Sequence, residues 1–262
     1  MKKTKIVAVS YLNTKPLLYG LLRSELAGHI ELDLQIPSEC ARRLKSGEAD
    51  IGLVPVAIIP ELRNPHILSS YCIGTRGTVR TVCLFSEVPL GQVERIFLDY
   101  HSRTSVELTR ILLRDYWKLS PELIPAASGF EREIGGRTAG LVIGDRAIEL
   151  EPHFPFIYDL GEAWLAHTGL PFVFAAWVSE GSVPAEFLRA FNEALEDGLG
   201  ALPDLKYLLP APVHGFDLHE YFTLNISYEL DEPKLQALRL YLSELGMFNS
   251  PVFELRAEES LG

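Results

Sequence analysis

KIVAVSYLNTKPLLYGLLRSELAGHIELDLQIPSECARRLKSGEADIGLVPV, residues 5–56, decides the fold class. Its β-branched run Lys5–Ser10 ends in polar residues, and the spacing of Leu17, Leu18, Leu21 and Leu22 then predicts a helix over Lys15–Glu25. Glu31–Ile36 reads as a second strand. After Pro37, Ser38 is a candidate N-cap, and Cys40, Ala41 and Leu44 form the apolar face of a short helix that stops at Gly47. Asp50–Val56 is apolar enough for a strand covered on both faces. A β-α-β-α-β order of this kind predicts a parallel sheet with right-handed crossovers.

Outward from this stretch the rhythm repeats. A strand-like run, Thr78–Ser86, is broken by Val88, Pro89, Leu90 and Gly91. Beyond it lie a strand over Arg95–Asp99, a polar turn, a helix over Ser105–Trp117 and a strand over Ala139–Ile143. An apolar strand at Phe172–Val178 precedes a helix over Pro184–Leu199, with Phe187, Leu188, Phe191, Ala194 and Leu195 on one face. A last helix over Glu232–Leu245 carries Leu235, Leu238, Leu242 and Leu245, and returns the chain to the first unit. The expected fold is α/β, a two-lobed periplasmic-binding-protein-like (type II) architecture with an interlobe cleft. One lobe spans 1–88 and 176–262 and the other 89–175, with crossings near 86–92 and 172–178. A single doubly wound sheet is the alternative.

The 262 residues carry 24 Lys+Arg against 35 Asp+Glu, a formal charge of −11. So acidic a chain argues against a nucleic-acid partner, which needs a basic face. Ile6–Val9 is too short for an export signal, and no stretch reaches the roughly 20 apolar residues that span a bilayer, so a cytoplasmic protein with no membrane partner is expected. Cys40, Cys72 and Cys83 form no CxxC pair, as suits a reducing compartment. Only His214 and His219 of the seven histidines lie close, and their spacing suits no common metal pair, so no metal and no cofactor are expected. GxSxG, HExxH, Walker and GxGxxG signatures are missing.

In parallel α/β folds a ligand sits beyond the carboxyl ends of the strands, where helix N-termini point at it. Ser10-Tyr11-Leu12-Asn13-Thr14-Lys15-Pro16 follows the first strand and is dense in hydrogen-bonding groups, although Asn13 or Thr14 can equally cap the helix. Asp99-Tyr100-His101-Ser102-Arg103-Thr104-Ser105 follows the second unit's first strand. Ser102, Thr104 and Ser105, the helix start and a bidentate Arg103 together suit a carboxylate or phosphate. Gly74–Thr81 adds hydroxyls and two arginines near the crossing. Gly144 permits close backbone approach of a ligand, and Asp145 follows it. Asp159–Trp164 with Thr168–Pro171 is a candidate cleft wall or hinge, or in the case of Trp164 a core aromatic.

The motifs VSYLNTKPL, DIGLVPVA, YCIGTRGTVRTVCLFS, LDYHSRTS, GLVIGDRA, and DLGEAW with TGLPFVFAAW, in this order across residues 5–180, resemble the MqnA family, the chorismate dehydratases of the futalosine route to menaquinone. A sister family, MqnD, which makes 1,4-dihydroxy-6-naphthoate, shares the DLGE and TGLP elements. It carries a histidine after the GLII strand, where this chain has Gly144, and it tends toward a PLG ending where this chain continues FVFAAW. The resemblance implies a small-molecule substrate, chorismate, which loses water to give 3-[(1-carboxyvinyl)oxy]benzoate. It also implies that Asn13 and Thr81 are catalytic, with threonine at a position that can hold serine. On this reading Thr81 holds one substrate carboxylate and Ser102, Arg103, Thr104 and Ser105 the other, with Ser10, Tyr11, Gly144 and Asp145 as further substrate contacts. A cytoplasmic small-acid-binding protein without turnover is the non-enzymatic alternative.

Overall fold

A computed structural model describes residues 3–246. The first unit runs β1 (Thr4–Val9), α1 (Lys15–Arg23), β2 (Ile30–Gln35), α2 (Pro37–Lys45), β3 (Ile51–Pro55) and β4 (His66–Thr75). Pro16 sits in the first turn of α1, where its missing N–H costs nothing, and Leu17, Leu18 and Leu21 face the sheet and are buried. Pro37 starts α2 in the same way, so Ile36 rather than Ser38 occupies the N-cap position. β1 lies parallel to both β2 and β3, as the apolar run of β3, buried throughout, requires.

The second unit holds β5 (Val82–Ser86), β6 (Arg95–Leu98), α3 (Arg103–Ile111), β7 (Glu122–Pro125), β8 (Thr138–Ile143), α4 (Asp145–Leu150), β9 (Phe156–Asp159) and α5 (Leu160–Thr168). A π-helical stretch, Leu112–Trp117, prolongs α3. The chain then returns through β10 (Phe172–Ser179), α6 (Ala185–Gly200), α7 (Leu202–Leu208), the single turn α8 (Leu218–Glu220), β11 (Ser227–Glu229) and α9 (Glu232–Glu244). Two sheets result, ordered β11-β4-β10-β3-β1-β2 and β7-β6-β8-β5-β9. The single-sheet alternative is thereby discarded.

The first crossing lies upstream of its expected position. Val82–Ser86 pairs with β8 and β9 of the second sheet, so the chain changes sheet between Thr75 and Val82 rather than near 86–92. Thr78–Ser86 is not one strand because Arg80 takes a left-handed backbone conformation, φ 63°, which ends any extended run. The return crossing ends at β10, which pairs antiparallel with β3 and β4 and is buried along its whole length. Apolar strands with no alternation are hard to delimit from sequence. β4, whose exposed and half-buried residues interrupt its apolar ones, and the three-residue β11 were not anticipated at all.

Trp164 is a core residue. Its indole donates to Pro171 O at 3.0 Å, and its ring meets those of Phe172 and Tyr241 edge-on at 5.1 and 6.3 Å. Such pairs contribute about 0.5–1.5 kcal/mol each beyond the area they bury, and these bind α5, β10 and α9 across the seam between the sheets. Cys40, Cys72 and Cys83 are buried free thiols. Among the described residues no helix is long and apolar enough to cross a membrane.

Candidate active site

A cleft opens between the two sheets beyond the carboxyl ends of β1 and β3, enclosing about 490 Å³ of space with its mouth included. Val9, Pro37, Pro55, Ile73, Val79, Ile143 and Phe174 give it apolar walls, and its polar lining comes from Tyr11, Asn13, Thr81, Ser102 and Ser105. Among the described residues that line it, none carries a formal charge. Hydroxyl and amide donors in so apolar a setting act at low local dielectric, where each hydrogen bond is worth more than in water.

Of the residues expected to act, Asn13 and Thr81 are brought together. Asn13 sits in a 3₁₀ turn after β1, where its Oδ1 accepts from the Thr14 hydroxyl at 3.2 Å. Thr81 follows the strained Arg80, and its hydroxyl donates to Val79 O at 3.3 Å. Between them stands Tyr221, fully buried, whose hydroxyl donates to Thr81 Oγ1 at 3.2 Å and whose oxygen faces the Asn13 amide. Burial holds the Tyr221 phenol protonated, well above the usual tyrosine range. Tyr228 donates to Asn13 O at 2.9 Å. Neither tyrosine was singled out from the sequence. They lie some 140 and 215 residues from their partners, and no local motif marks them.

The helix start after β6 divides its residues between two faces. Ser102 is the N-cap of α3: it accepts from Ser105 N at 3.2 Å and meets the Ser105 hydroxyl at 3.1 Å, and both serines line the cleft. Thr104 turns the other way and accepts from Ala57 N at 3.2 Å, while its carbonyl accepts from Tyr241. Arg103 is directed outward, its side chain 58% exposed and paired with Glu61 at 2.7 Å. Arg103 and Thr104 are therefore removed from the set of cleft contacts, because successive helical residues point about 100° apart and only one face of α3 meets the cleft.

Two further expectations change, Ser10 and Asp145, while Gly144 keeps its place at the cleft. Ser10 lies outside the cleft lining and spends its backbone N–H on Gln35 O at 3.0 Å. Asp145 accepts from Leu12 N with both oxygens, at 3.0 and 3.2 Å, and so ties the two lobes together instead of facing a ligand. Burial raises this carboxyl above its ordinary range, opposed by the Leu12 amide. Gly144 is part of the cleft lining, and at φ 70° and ψ −156° it also admits the close approach of Tyr11: a Cβ there would lie 2.6 Å from the tyrosine ring. That backbone region is open to glycine almost alone.

Tyr11 stacks on His101, and its hydroxyl and the His101 Nδ1 share a hydrogen bond of 2.6 Å. Burial raises the Tyr11 phenol far above its usual range, against the pull of the nearby Arg146 guanidinium. Burial and Arg146 hold His101 below the ordinary histidine value, hence neutral. Behind them Asp99, 1% exposed, accepts from His101 N, Ile143 N and Arg146, the last at 2.6 Å, and Arg146 also pairs with Glu131.

Asp159 opens DLGE and acts as a clasp between the crossings. Its Oδ2 accepts from Val79 N and Arg80 N at 2.9 and 2.7 Å, and its Oδ1 from Gly161 N and Glu162 N at 2.9 and 3.1 Å.

Residues 4–246 match the family model described as menaquinone biosynthesis, and the chain belongs to that family. A curated relative from Thermus thermophilus, named chorismate dehydratase, is 29% identical over 83% of this chain and 88% of its own. Among solved structures, a protein from Archaeoglobus fulgidus superposes with a TM-score of 0.71 at 14% identity, covering 93% of this chain and 97% of its own. The alkanesulfonate-binding protein SsuA from Xanthomonas axonopodis pv. citri, bound to MOPS, reaches 0.61 at 13% identity over 96% and 95%. A Candida albicans protein described as having the generic periplasmic binding protein fold reaches 0.64 at 13% over 96% and 92%. The fold is the two-lobed periplasmic-binding-protein-like one.

Proposed function

We propose that this member of the menaquinone biosynthesis family is a hydro-lyase that removes water from chorismate to give 3-[(1-carboxyvinyl)oxy]benzoate, in the cytoplasm and on the futalosine route. The observation that carries the reading is the cleft itself, apolar in its walls and lined by neutral donors, in a chain similar to a protein named chorismate dehydratase.

The chemistry needs little more. The hydrogen on the ether-bearing ring carbon is vinylogous to the ring carboxylate, so the electron pair left by its removal spreads through the diene into that carboxylate. The pair then returns to aromatise the ring and expels the neighbouring hydroxyl, which takes up the released proton and leaves as water. Ser102 and Ser105, at the positive end of α3, stabilise the charge that builds on the ring carboxylate. Asn13 and Thr81 orient the leaving hydroxyl and the enolpyruvyl group. The resemblance to the chorismate dehydratases implies the substrate's own enolpyruvyl carboxylate as the base, and a lining without charged side chains among the described residues is compatible with it.

On this reading the lobes part at the two observed crossings, 76–81 and 160–171, instead of at 88/89 and 175/176. The test is incubation of purified protein with chorismate, followed by mass and ultraviolet absorbance. Loss of one water with an aromatic product supports the reading. Binding without conversion makes the chain a small-acid-binding protein, and inertness toward chorismate turns attention to a cyclic futalosine substrate.

A further inference from the structure

The return segment 218–229 places a fully buried phenol behind the two side chains on which the dehydratase reading relies. Hydrogen-bond accounting gives the arrangement a direction. Thr14 donates to Asn13 Oδ1 at 3.2 Å. Tyr221 passes its proton to Thr81 Oγ1 at 3.2 Å, and Thr81 passes its own to Val79 O at 3.3 Å. The last bond is the longest of the chain and ends on a backbone carbonyl beside the cleft, so the Thr81 proton is the one free to turn toward a ligand. A hydroxyl whose oxygen accepts a hydrogen bond becomes a better donor itself. The same segment fixes the surroundings, since Tyr228 donates to Asn13 O at 2.9 Å and Asn225 to Thr78 O at 3.1 Å.

We propose that Tyr221 is a positioning residue for the elimination: its hydroxyl, donating to Thr81 Oγ1, holds Thr81 beside Asn13 and aims the Thr81 proton at the substrate. It lies outside the cleft lining and acts only through Thr81. The inference rests on the dehydratase reading, and its test separates the two.

Tyr221→Phe is compared with wild type and with Tyr241→Phe, which removes another buried hydroxyl, one that donates to Thr104 O away from the cleft. Each protein is assayed for kcat and KM on chorismate and for Tm. In Tyr221→Phe, kcat falls about tenfold or more, somewhat less than the roughly 10²–10³ that loss of a donor in direct contact costs, and KM stays within about threefold. Tyr241→Phe keeps its kcat while losing a similar amount of Tm. A Tyr221→Phe enzyme with wild-type kcat overturns the inference, as does a parallel fall in kcat in both variants, which makes the role structural. A wild-type protein that releases no water from chorismate overturns the dehydratase reading, and this inference with it.

Discussion

Asp159→Asn separates the two crossings at one atom. In the native protein Oδ1 serves the amides of Gly161 and Glu162, at the start of α5, and Oδ2 serves those of Val79 and Arg80, on the segment that carries Thr81. An asparagine keeps one oxygen and gains an NH₂. Whichever way it turns, two buried N–H groups lose their acceptor and face another donor. At about 1–3 kcal/mol per orphaned group the cost is about 2–6 kcal/mol. Removing a buried charge returns part of this, so the expected net loss lies at the low end of that range, about 2 kcal/mol. For a chain of this size that corresponds to a fall in Tm of about 4–8 °C or more. If the oxygen stays with α5, Arg80 loses the amide bond that holds it at φ 63°, and Thr81 moves with it, so turnover falls together with stability. Urea unfolding followed by fluorescence gives the free energy from midpoint and slope, and a scan gives Tm. A variant within about 1 kcal/mol of wild type would refute the clasp, since the estimate rests on nothing but the four amides.

Three other outcomes follow from the same geometry. Gly144→Ala should lose about 1–3 kcal/mol from backbone strain alone, and more from the Tyr11 clash; adding Tyr11→Ala should restore only the second part, and an unchanged Tm in the single variant would contradict the placement of Tyr11. Arg103→Ala should leave chorismate KM unaltered, because an exposed pair with Glu61 is worth about 0–1 kcal/mol and has no bearing on the cleft; a tenfold rise, about 1.4 kcal/mol, would put the guanidinium back in the site. His101 titrates below the ordinary value of 6.5 in the folded protein, so the unfolded chain takes up this proton first: the stability tied to the neutral imidazole is complete above 6.5 and is lost as pH falls through the lower folded value. His101→Gln should flatten the pH dependence of the urea midpoint between about pH 5 and 7, and an undiminished slope would assign the effect to another group.

Periodicity made the first unit legible because its strands are covered on both faces and its helices carry leucines at helical spacing, as in Leu17, Leu18 and Leu21. It misplaced the crossing because Val82–Ser86 is as apolar as the strands of the other sheet, and hydrophobicity records burial without saying in which sheet. Asn13 and Thr81 were reachable through the motifs that contain them. Tyr221 was not, since what makes it matter is a contact 140 residues away. Arg103 shows the opposite failure. A guanidinium at a helix start is the right chemistry for a carboxylate, but only the helical phase decides whether it faces the cleft, and Ser102 and Ser105 share a face that Arg103 does not.

On the proposed function the anion falls to α3, and the loops after the first three strands give that a physical reason. In open α/β sheets the amides beyond the carboxyl ends of parallel strands are the ones that meet a ligand. Here those of the first lobe are already engaged by the second: Leu12 N donates to Asp145, Ser38 N to His101 O, and Ala57 N to Thr104 Oγ1. Closure of the lobes thus consumes three donors that an open cleft would present to water, and satisfies them without a ligand. Fewer donors remain for a dianionic substrate, among them the hydroxyls of Ser102 and Ser105 and the Thr81 and Asn13 pair. A site that closes on itself in this way leaves its remaining donors dry and fixed, so that they pay no reorganisation when charge moves onto the ring carboxylate. On the proposed reading the acidic chain holds an acid with no guanidinium in the described lining: what it offers is neutral and oriented, and the low dielectric of the cleft walls strengthens each of those hydrogen bonds.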